Sequence, residues 1–394
     1  MKLITKIKRV SLKDILSIFI FFSAIPEAIL LKKKRKDLWL ICEREDEARD
    51  NGYWLFKYIR ENHLDEDVVY AIKKNSKDYK RVKNLGEIIE YGSYKHWVYY
   101  LAASKNISSQ KGGKPNAAVC YFLEVYGILK NKRVFLQHGV IKDDLEWLYY
   151  KNTKMRLFIC GARPEYEYIK KKFGYPEGYV KYTGLARFDN LHNFKIKKNQ
   201  ILVMPTWRVW LNIPEMNKGN SDKNKNFIET TYFKKWYEFL NDKALLEYIE
   251  KNNLTLIFYP HSNMQKYINN FKTTCENIKI ADDKNYDVQD LLKESEILIT
   301  DYSSVFMDFA YMKKPMIYYQ FDKKDYREGQ YKEGYFNYER DGFGPVVETI
   351  EKLLEKLINI KYQNINNYLI RQGNFFELYD ANNSKRNYEE IKKI

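Results

Sequence analysis

Short apolar runs that stop at a polar residue recur along the whole chain, with stretches of helical periodicity between them. In the first half, 38–42, 68–72, 88–91, 119–123, 134–137 and 157–160 read as buried strands, while Glu43–Arg60 and Tyr94–Ala103 carry apolar residues at helical spacing. A Lys/Asn-rich stretch at 193–200 reads as a linker, and the pattern then restarts. Strands at 201–204, 254–259, 278–280, 297–300 and 315–319 alternate with helices at 234–250, 288–294 and 305–312. Apolar strands alternating with helices belong to parallel sheets covered on both faces. The expected fold is therefore α/β, with two Rossmann-like doubly wound lobes facing a cleft. A chain of 394 residues suffices for two such lobes. The boundaries read as 1–36 for a membrane-associating segment, 37–192 for an N-terminal acceptor lobe, 198–380 for a C-terminal donor lobe and 381–394 for a C-terminal helix. The polar stretch 211–228 reads as a mobile loop near the cleft.

The first 36 residues follow neither pattern. Lys2, Lys6, Lys8, Arg9 and Lys13 surround the first apolar residues, an apolar run covers 15–31, and Lys32-Lys33-Lys34-Arg35-Lys36 follows. A secretory signal would need a small-residue cleavage site, which is missing. A spanning helix would be short and would hold Pro26 and Glu27. A monotopic helix pair lying in the bilayer interface fits the pattern, with apolar groups at the acyl boundary and lysines on anionic headgroups. A helix packed on the protein's own core is the alternative. The formal charge of +16 also attracts anions. No RNA-binding aromatic signature, zinc-finger spacing or basic region with heptads is present, so nucleic acid is not an expected partner. Cys42, Cys120, Cys160 and Cys275 show no CxxC spacing, which speaks against a metal or disulfide framework and for a reducing compartment. The expected location is the cytoplasmic face of the membrane.

Residues just past strand ends carry the candidate chemistry. Ser303 and Ser304 follow the strand that stops at Asp301 and open a helix, where hydroxyls and free amides suit a phosphate. Simple helix capping is the alternative. His261 follows one strand and His138-Gly139 another, and a histidine there can move a proton or bind a phosphate oxygen. Arg208, in Met204-Pro-Thr-Trp-Arg208, reads as a bidentate phosphate clamp or a surface ion pair. Asp301, Gly139, Asp322 and Glu348 read as supporting donor contacts. The chain has no P-loop, HExxH, GxSxG or DxD. No metal or other cofactor is therefore expected, with basic groups and helix ends doing a cation's work.

Taken together, Gln137-His138-Gly139, Thr183-Gly184-Leu-Ala-Arg187-Phe-Asp189, Pro205-Thr206-Trp-Arg208, His261, Asp301-Tyr-Ser303-Ser304 with Asp308, Lys314-Pro315, Asp322 and Ser384-Lys-Arg386-Asn-Tyr388 resemble the CDP-glycerol glycerophosphotransferase family of teichoic acid polymerases and primases. The resemblance covers roughly residues 38–390. It implies a glycosyltransferase-B-type (GT-B) fold, peripheral membrane attachment, a CDP-polyol donor and CMP as leaving group. It implies transfer of glycerol phosphate or ribitol phosphate to a lipid-linked saccharide or polymer in teichoic acid or capsule-type polymer synthesis. On this resemblance His138 is the base on the acceptor hydroxyl, and His261, Ser303 and Ser304 contact the donor phosphates. Two departures leave the polyol open: Gln137 before the first histidine, and Tyr259-Pro260 rather than a basic residue before the second. Homo-oligomerisation is left open too. The rival readings are a GT-B enzyme using a nucleotide sugar and a non-catalytic basic membrane scaffold.

Overall fold

The computed structural model describes residues 11–212, 227–360 and 365–394. Residues 1–10 of the N-terminal segment and 213–226 of the loop expected at 211–228 lie outside the described residues. The chain forms two compact units: 1–140, 146–190 and 380–394 make the first, and 141–145 with 191–379 make the second.

The first unit begins with helix α1 (Leu12–Lys34). Ser11 starts it through a reciprocal capping box with Asp14, and Lys32, Lys33 and Lys34 sit in its last turn, where cations complement the helix dipole. The sheet strands are β1 (Trp39–Cys42), β2 (Val68–Ile72), β3 (Glu87–Glu90), β4 (Lys105–Ser108), β5 (Lys132–Phe135), β6 (Leu157–Cys160) and β7 (Val180–Tyr182). Helix α2 (Asn51–Asn62) links β1 to β2, α3 (Tyr94–Ala102) precedes β4, and α4 (Ala117–Val125) precedes β5. All strand pairs are parallel, in the order β3-β2-β1-β4-β5-β6-β7. Chain direction across the sheet thus reverses between β1 and β4, the place where open α/β sheets bind ligands beyond their carboxyl ends.

The second unit holds β8 (Gln200–Met204), α5 (Thr231–Asn241), α6 (Lys243–Lys251), β9 (Thr255–Phe258), β10 (Ile278–Ile280), β11 (Ile297–Thr300), α7 (Val305–Tyr311), β12 (Met316–Tyr319), α8 (Lys323–Gly329) and β13 (Val346–Val347). Its parallel sheet runs β10-β9-β8-β11-β12-β13, so its reversal point lies between β8 and β11. Fully buried strands such as Leu-Ile-Thr of β11 and the aromatic side chains of α5 build its core. Helix α9 (Asn383–Lys392) ends the chain and packs into the first unit rather than standing apart.

Four local expectations change. Val119–Leu123 lies in α4, not in a strand, because Asn116 caps a helix there by accepting from the Val119 amide at 2.9 Å. The helix expected from Glu43 starts only at Asn51. The helix expected over 234–250 is two, separated by Asp242, whose carboxylate accepts from the Leu245 amide at 2.8 Å and starts α6. Strands β4, β7 and β13 are not evident in the sequence pattern. The described part of the N-terminal segment forms one helix, α1, and the rest of the expected helix pair lies outside the described residues. One of its faces packs on the unit: Phe21 meets Trp97 at 6.1 Å, and the Tyr94 hydroxyl donates to Ser23 O at 3.1 Å. Its other face leaves Leu16, Phe19, Phe22 and Leu30 more than half exposed. The four cysteines are free and buried.

Candidate active site

Two clusters form at the carboxyl ends of the sheets, one in each unit. In the first unit β5 ends at Phe135, and the chain turns sharply at Gln137, which holds a left-handed φ of 63°. A side chain rarely occupies that conformation unless its surroundings fix it. Asn51 Nδ2 donates to Gln137 O at 2.8 Å and the Gln137 amide group donates to Ile159 O. The turn delivers His138 to the surface with its side chain 59% exposed, and Gly139 beside it is half-buried.

His138 Nδ1 lies 2.5 Å from Oδ2 of Asp50, a buried carboxylate at the N-cap of α2. An ionised carboxylate only accepts, so Nδ1 carries the proton and Nε2 presents a lone pair. Arg187 completes the cluster: its Nη1 donates to Asp50 Oδ1 at 2.9 Å and to His138 O at 2.5 Å, and its amide donates to Asn51 Oδ1 at 3.0 Å. Burial disfavours charge on Asp50, but the charge and hydrogen bond of His138, with Arg187, outweigh it and hold the carboxyl below its ordinary range. Burial likewise pulls His138 down, and Asp50 overcomes this to raise it above the ordinary histidine value. The result is an oriented imidazole, more basic than a free one, with its unprotonated nitrogen aimed away from its carboxylate partner. This is the arrangement of a general base.

Asp50 was missed by sequence reading, and so was Glu43, buried next to it. Both fell inside the helix expected from Glu43. The signal was available: Asp50-Asn51-Gly52 is a helix-start pattern.

In the second unit Met204 pairs with Thr300, so β8 and β11 release their following residues side by side at the reversal point. Arg208 is completely buried there. It bonds Asp322 at 2.7 and 3.0 Å and Asp301 at 2.9 Å, and lies 5.1–5.3 Å from the ring centres of Tyr232, Tyr302 and Tyr326. A guanidinium committed to two carboxylates and walled in by tyrosines is not an open phosphate clamp, so that expectation is corrected: Arg208 is a tie between three strand ends. Asp301 and Asp322 face it for the same reason. Burial pushes the Asp301 carboxyl up, and Arg208 opposes this. Asp301 Oδ1 also accepts the amides of Thr206 at 2.8 Å and Tyr302 at 2.6 Å, fixing the turn that leads to Ser303 and Ser304. Ser304 sits at the N-cap of α7 with no capping bond from its side chain, so its exposed hydroxyl is not spent on the helix. Ser303 is buried.

His261 follows β9, and its Nδ1 accepts from the Asn263 amide at 3.2 Å. In the neutral ring the proton therefore sits on Nε2, the tautomer opposite to that of His138. The ring stacks on Trp207 at 6.2 Å. Gln320, Asp322, Lys324, Arg327 and Glu348 line an open hollow of about 560 Å³ beyond β12 and β13. The structure thus brings Asp322 and Glu348 to one hollow, with Glu348 exposed at its edge.

Comparison with known proteins gives a consistent picture. The profile of the family described as CDP-glycerol:poly(glycerophosphate) glycerophosphotransferase matches residues 24–393. The minor teichoic acid biosynthesis protein GgaB of Bacillus subtilis (strain 168) is 36% identical over 391 residues, covering 94% of this chain. The chain spans 42% of that relative's length. A teichoic acid poly(glycerol phosphate) polymerase of Bacillus spizizenii is 25% identical over 371 residues, covering 86% of this chain and 87% of the relative. The solved wall teichoic acid polymerase TagF superposes with a TM-score of 0.68 at 17% identity, over 97% of this chain and 96% of that one, and shares the fold.

Proposed function

The chain belongs to the CDP-glycerol:poly(glycerophosphate) glycerophosphotransferase family, and from that membership we propose that it transfers glycerol phosphate or ribitol phosphate from a CDP-polyol to a hydroxyl of a lipid-linked saccharide or polymer. The observation that carries the reading is the His138–Asp50 pair, with its free imidazole nitrogen at the carboxyl end of the first sheet. His138 Nε2 takes the proton of the acceptor hydroxyl. The acceptor oxygen then attacks the phosphorus that bears the polyol, and the bond from that phosphorus to the bridging oxygen breaks. CMP leaves with the electron pair, and a phosphodiester remains. The Nε2 proton of His261 and the Ser303-Ser304 turn meet the charge on the phosphoryl oxygens. Arg208 holds that turn through Asp301 rather than touching the donor. No metal takes part in this scheme.

The apolar outer face of α1, flanked by lysines, lies on the anionic cytoplasmic surface of the membrane and keeps the enzyme beside its lipid-linked acceptor. The family relatives give no support to the nucleotide-sugar or scaffold readings. The deciding experiment is CMP release from CDP-glycerol and CDP-ribitol by the purified protein, with detergent-solubilised lipid-linked acceptor and EDTA present. Acceptor-dependent CMP from one donor is expected. UDP released from UDP-sugars in a parallel assay with no CMP from either CDP-polyol, or turnover abolished by EDTA, would refute the proposal in its donor or its metal independence respectively.

A further inference from the structure

We infer that Glu43 is a positioning residue for His138, acting through Asp50; the inference rests on the reaction proposed above. Glu43 is the first residue after β1, at the reversal point of the first sheet, and it is completely buried. Its Oε1 accepts from the Gly52 amide at 2.7 Å, the Tyr53 amide at 3.1 Å and Ser109 Oγ at 2.9 Å. Its Oε2 accepts from the Tyr70 hydroxyl at 3.0 Å and, more weakly, from the amides of Arg49 and Asp50 at 3.3 Å each. The backbone donors all come from residues 49–53, the turn that contains Asp50.

The division of labour is the informative part. An N-cap aspartate ordinarily accepts the amides two and three residues on, which here are Gly52 and Tyr53. Glu43 takes both. Asp50 accepts one local bond, from the Asn51 amide at 2.9 Å, and turns Oδ2 to His138, with a long 3.4 Å bond from Gln110 Nε2, and Oδ1 to Arg187. A helix start alone has no need of a second buried carboxylate, whose desolvation is costly. Gly52 leaves the space for it: a Cβ there would stand 2.9 Å from Glu43 Cγ and Oε1. Burial, and then the charge of Asp50, push the Glu43 carboxyl up to about 7, while His138 and Arg187 hold Asp50 low.

The test is Glu43→Gln, in the wild-type and in the Asp50→Asn background. The first is expected to lower kcat roughly 10- to 100-fold, as small misplacements of a catalytic group do, with the donor KM unchanged. In the second background the same substitution costs nothing further, because its route is already gone. In the resting enzyme, NMR titration of the labelled His138 ring shows a lower midpoint in Glu43→Gln than in the wild type. The charged groups facing that ring are Asp50, Arg187 and Arg44, and the titratable groups facing Glu43 are Asp50, the Tyr70 phenol and the Cys42 thiol. Ser109→Ala removes one donor to Glu43, together with an acceptor of the Gly52 amide that Glu43 Oε1 also accepts, and gives the same shift, smaller, should Glu43→Gln not fold. An unmoved His138 midpoint in a folded variant, or losses that add in the double variant, overturns the inference. A protein whose His138 responds as stated but releases no CMP from either CDP-polyol fails the proposed reaction and leaves the positioning role intact.

Discussion

Replacing Asp50 by asparagine removes a charge while keeping the side-chain shape, and the structure sets the size of the effect. The His138–Asp50 contact is one hydrogen bond of 2.5 Å to an ionised partner. Such bonds contribute about 1.5–3 kcal/mol, and about 1.4 kcal/mol is tenfold in rate, which bounds the loss in kcat at about 10- to 150-fold. The imidazole is 59% exposed, so water replaces part of what is lost, and the lower part of the range, about 10- to 50-fold, is expected. The pH dependence follows with its sign. His138 must be neutral to accept a proton, so the rate rises with pH through its titration. Asp50 holds that titration above the ordinary value against burial and the charges of Arg187 and Arg44; without the Asp50 charge these act unopposed and the acidic limb moves to lower pH. The pair's stabilisation runs between the lowered titration of Asp50 and the raised titration of His138. It is lost as pH falls through the first or rises through the second. The assay is the pH profile of CMP release, together with thermal melts across the same range. An Asp50→Asn enzyme with full kcat, or an acidic limb that stays put or moves upward, would refute the reasoning.

Other consequences are equally open to measurement. Arg208→Met leaves Asp301 and Asp322 buried without their cation. That is expected to cost about 3–5 kcal/mol, visible as a large drop in melting temperature; an unchanged melt contradicts the assignment of Arg208 as a structural tie. Gly184 has φ +79° and its absent Cβ would fall 1.8 Å from Asn383 Oδ1. Gly184→Ala should therefore cost about 1–3 kcal/mol in strain and loosen α9, read as faster proteolytic trimming of the C-terminus. The double change Leu16→Ser/Phe19→Ser strips two exposed apolar side chains from α1. At about 1.5–3 kcal/mol each, it should weaken co-flotation with anionic vesicles at least about 100-fold, while turnover of donor by detergent-solubilised enzyme persists.

The alternation of apolar strands with helices carried the fold in the sequence, because a strand buried on both faces must be continuously apolar. The strand ends then located His138, His261, Asp301 and Ser303-Ser304 without reference to tertiary contacts. Three features resisted. Val119–Leu123 is apolar enough for a strand, and only the capping Asn116 tips it to a helix. Asp50 and Glu43 were hidden because apolar residues from Ala48 onward extend a helical pattern back across a turn. Arg208 read as a clamp because an arginine after a strand looks the same in sequence whether it points to a ligand or to two buried carboxylates. What decides that case is burial, a property of residues distant in the chain.

Residues 380–394 belong to the first unit, although 191–379 form the second. There α9 lays Tyr388 on His63 at 3.9 Å, its hydroxyl donating to Glu66 at 2.7 Å, while Asp189 accepts the amides of Asn383 and Ser384 at 2.8 Å each. During synthesis the order of completion is therefore the reverse of the order of appearance. The second unit has all its residues once Tyr379 has emerged, whereas the first, begun at the N-terminus, waits for the final helix. A nascent chain that has emerged as far as residue 379 carries all of the second unit and an unclosed first one. Emergence of residues 380–394 completes the unit that holds His138.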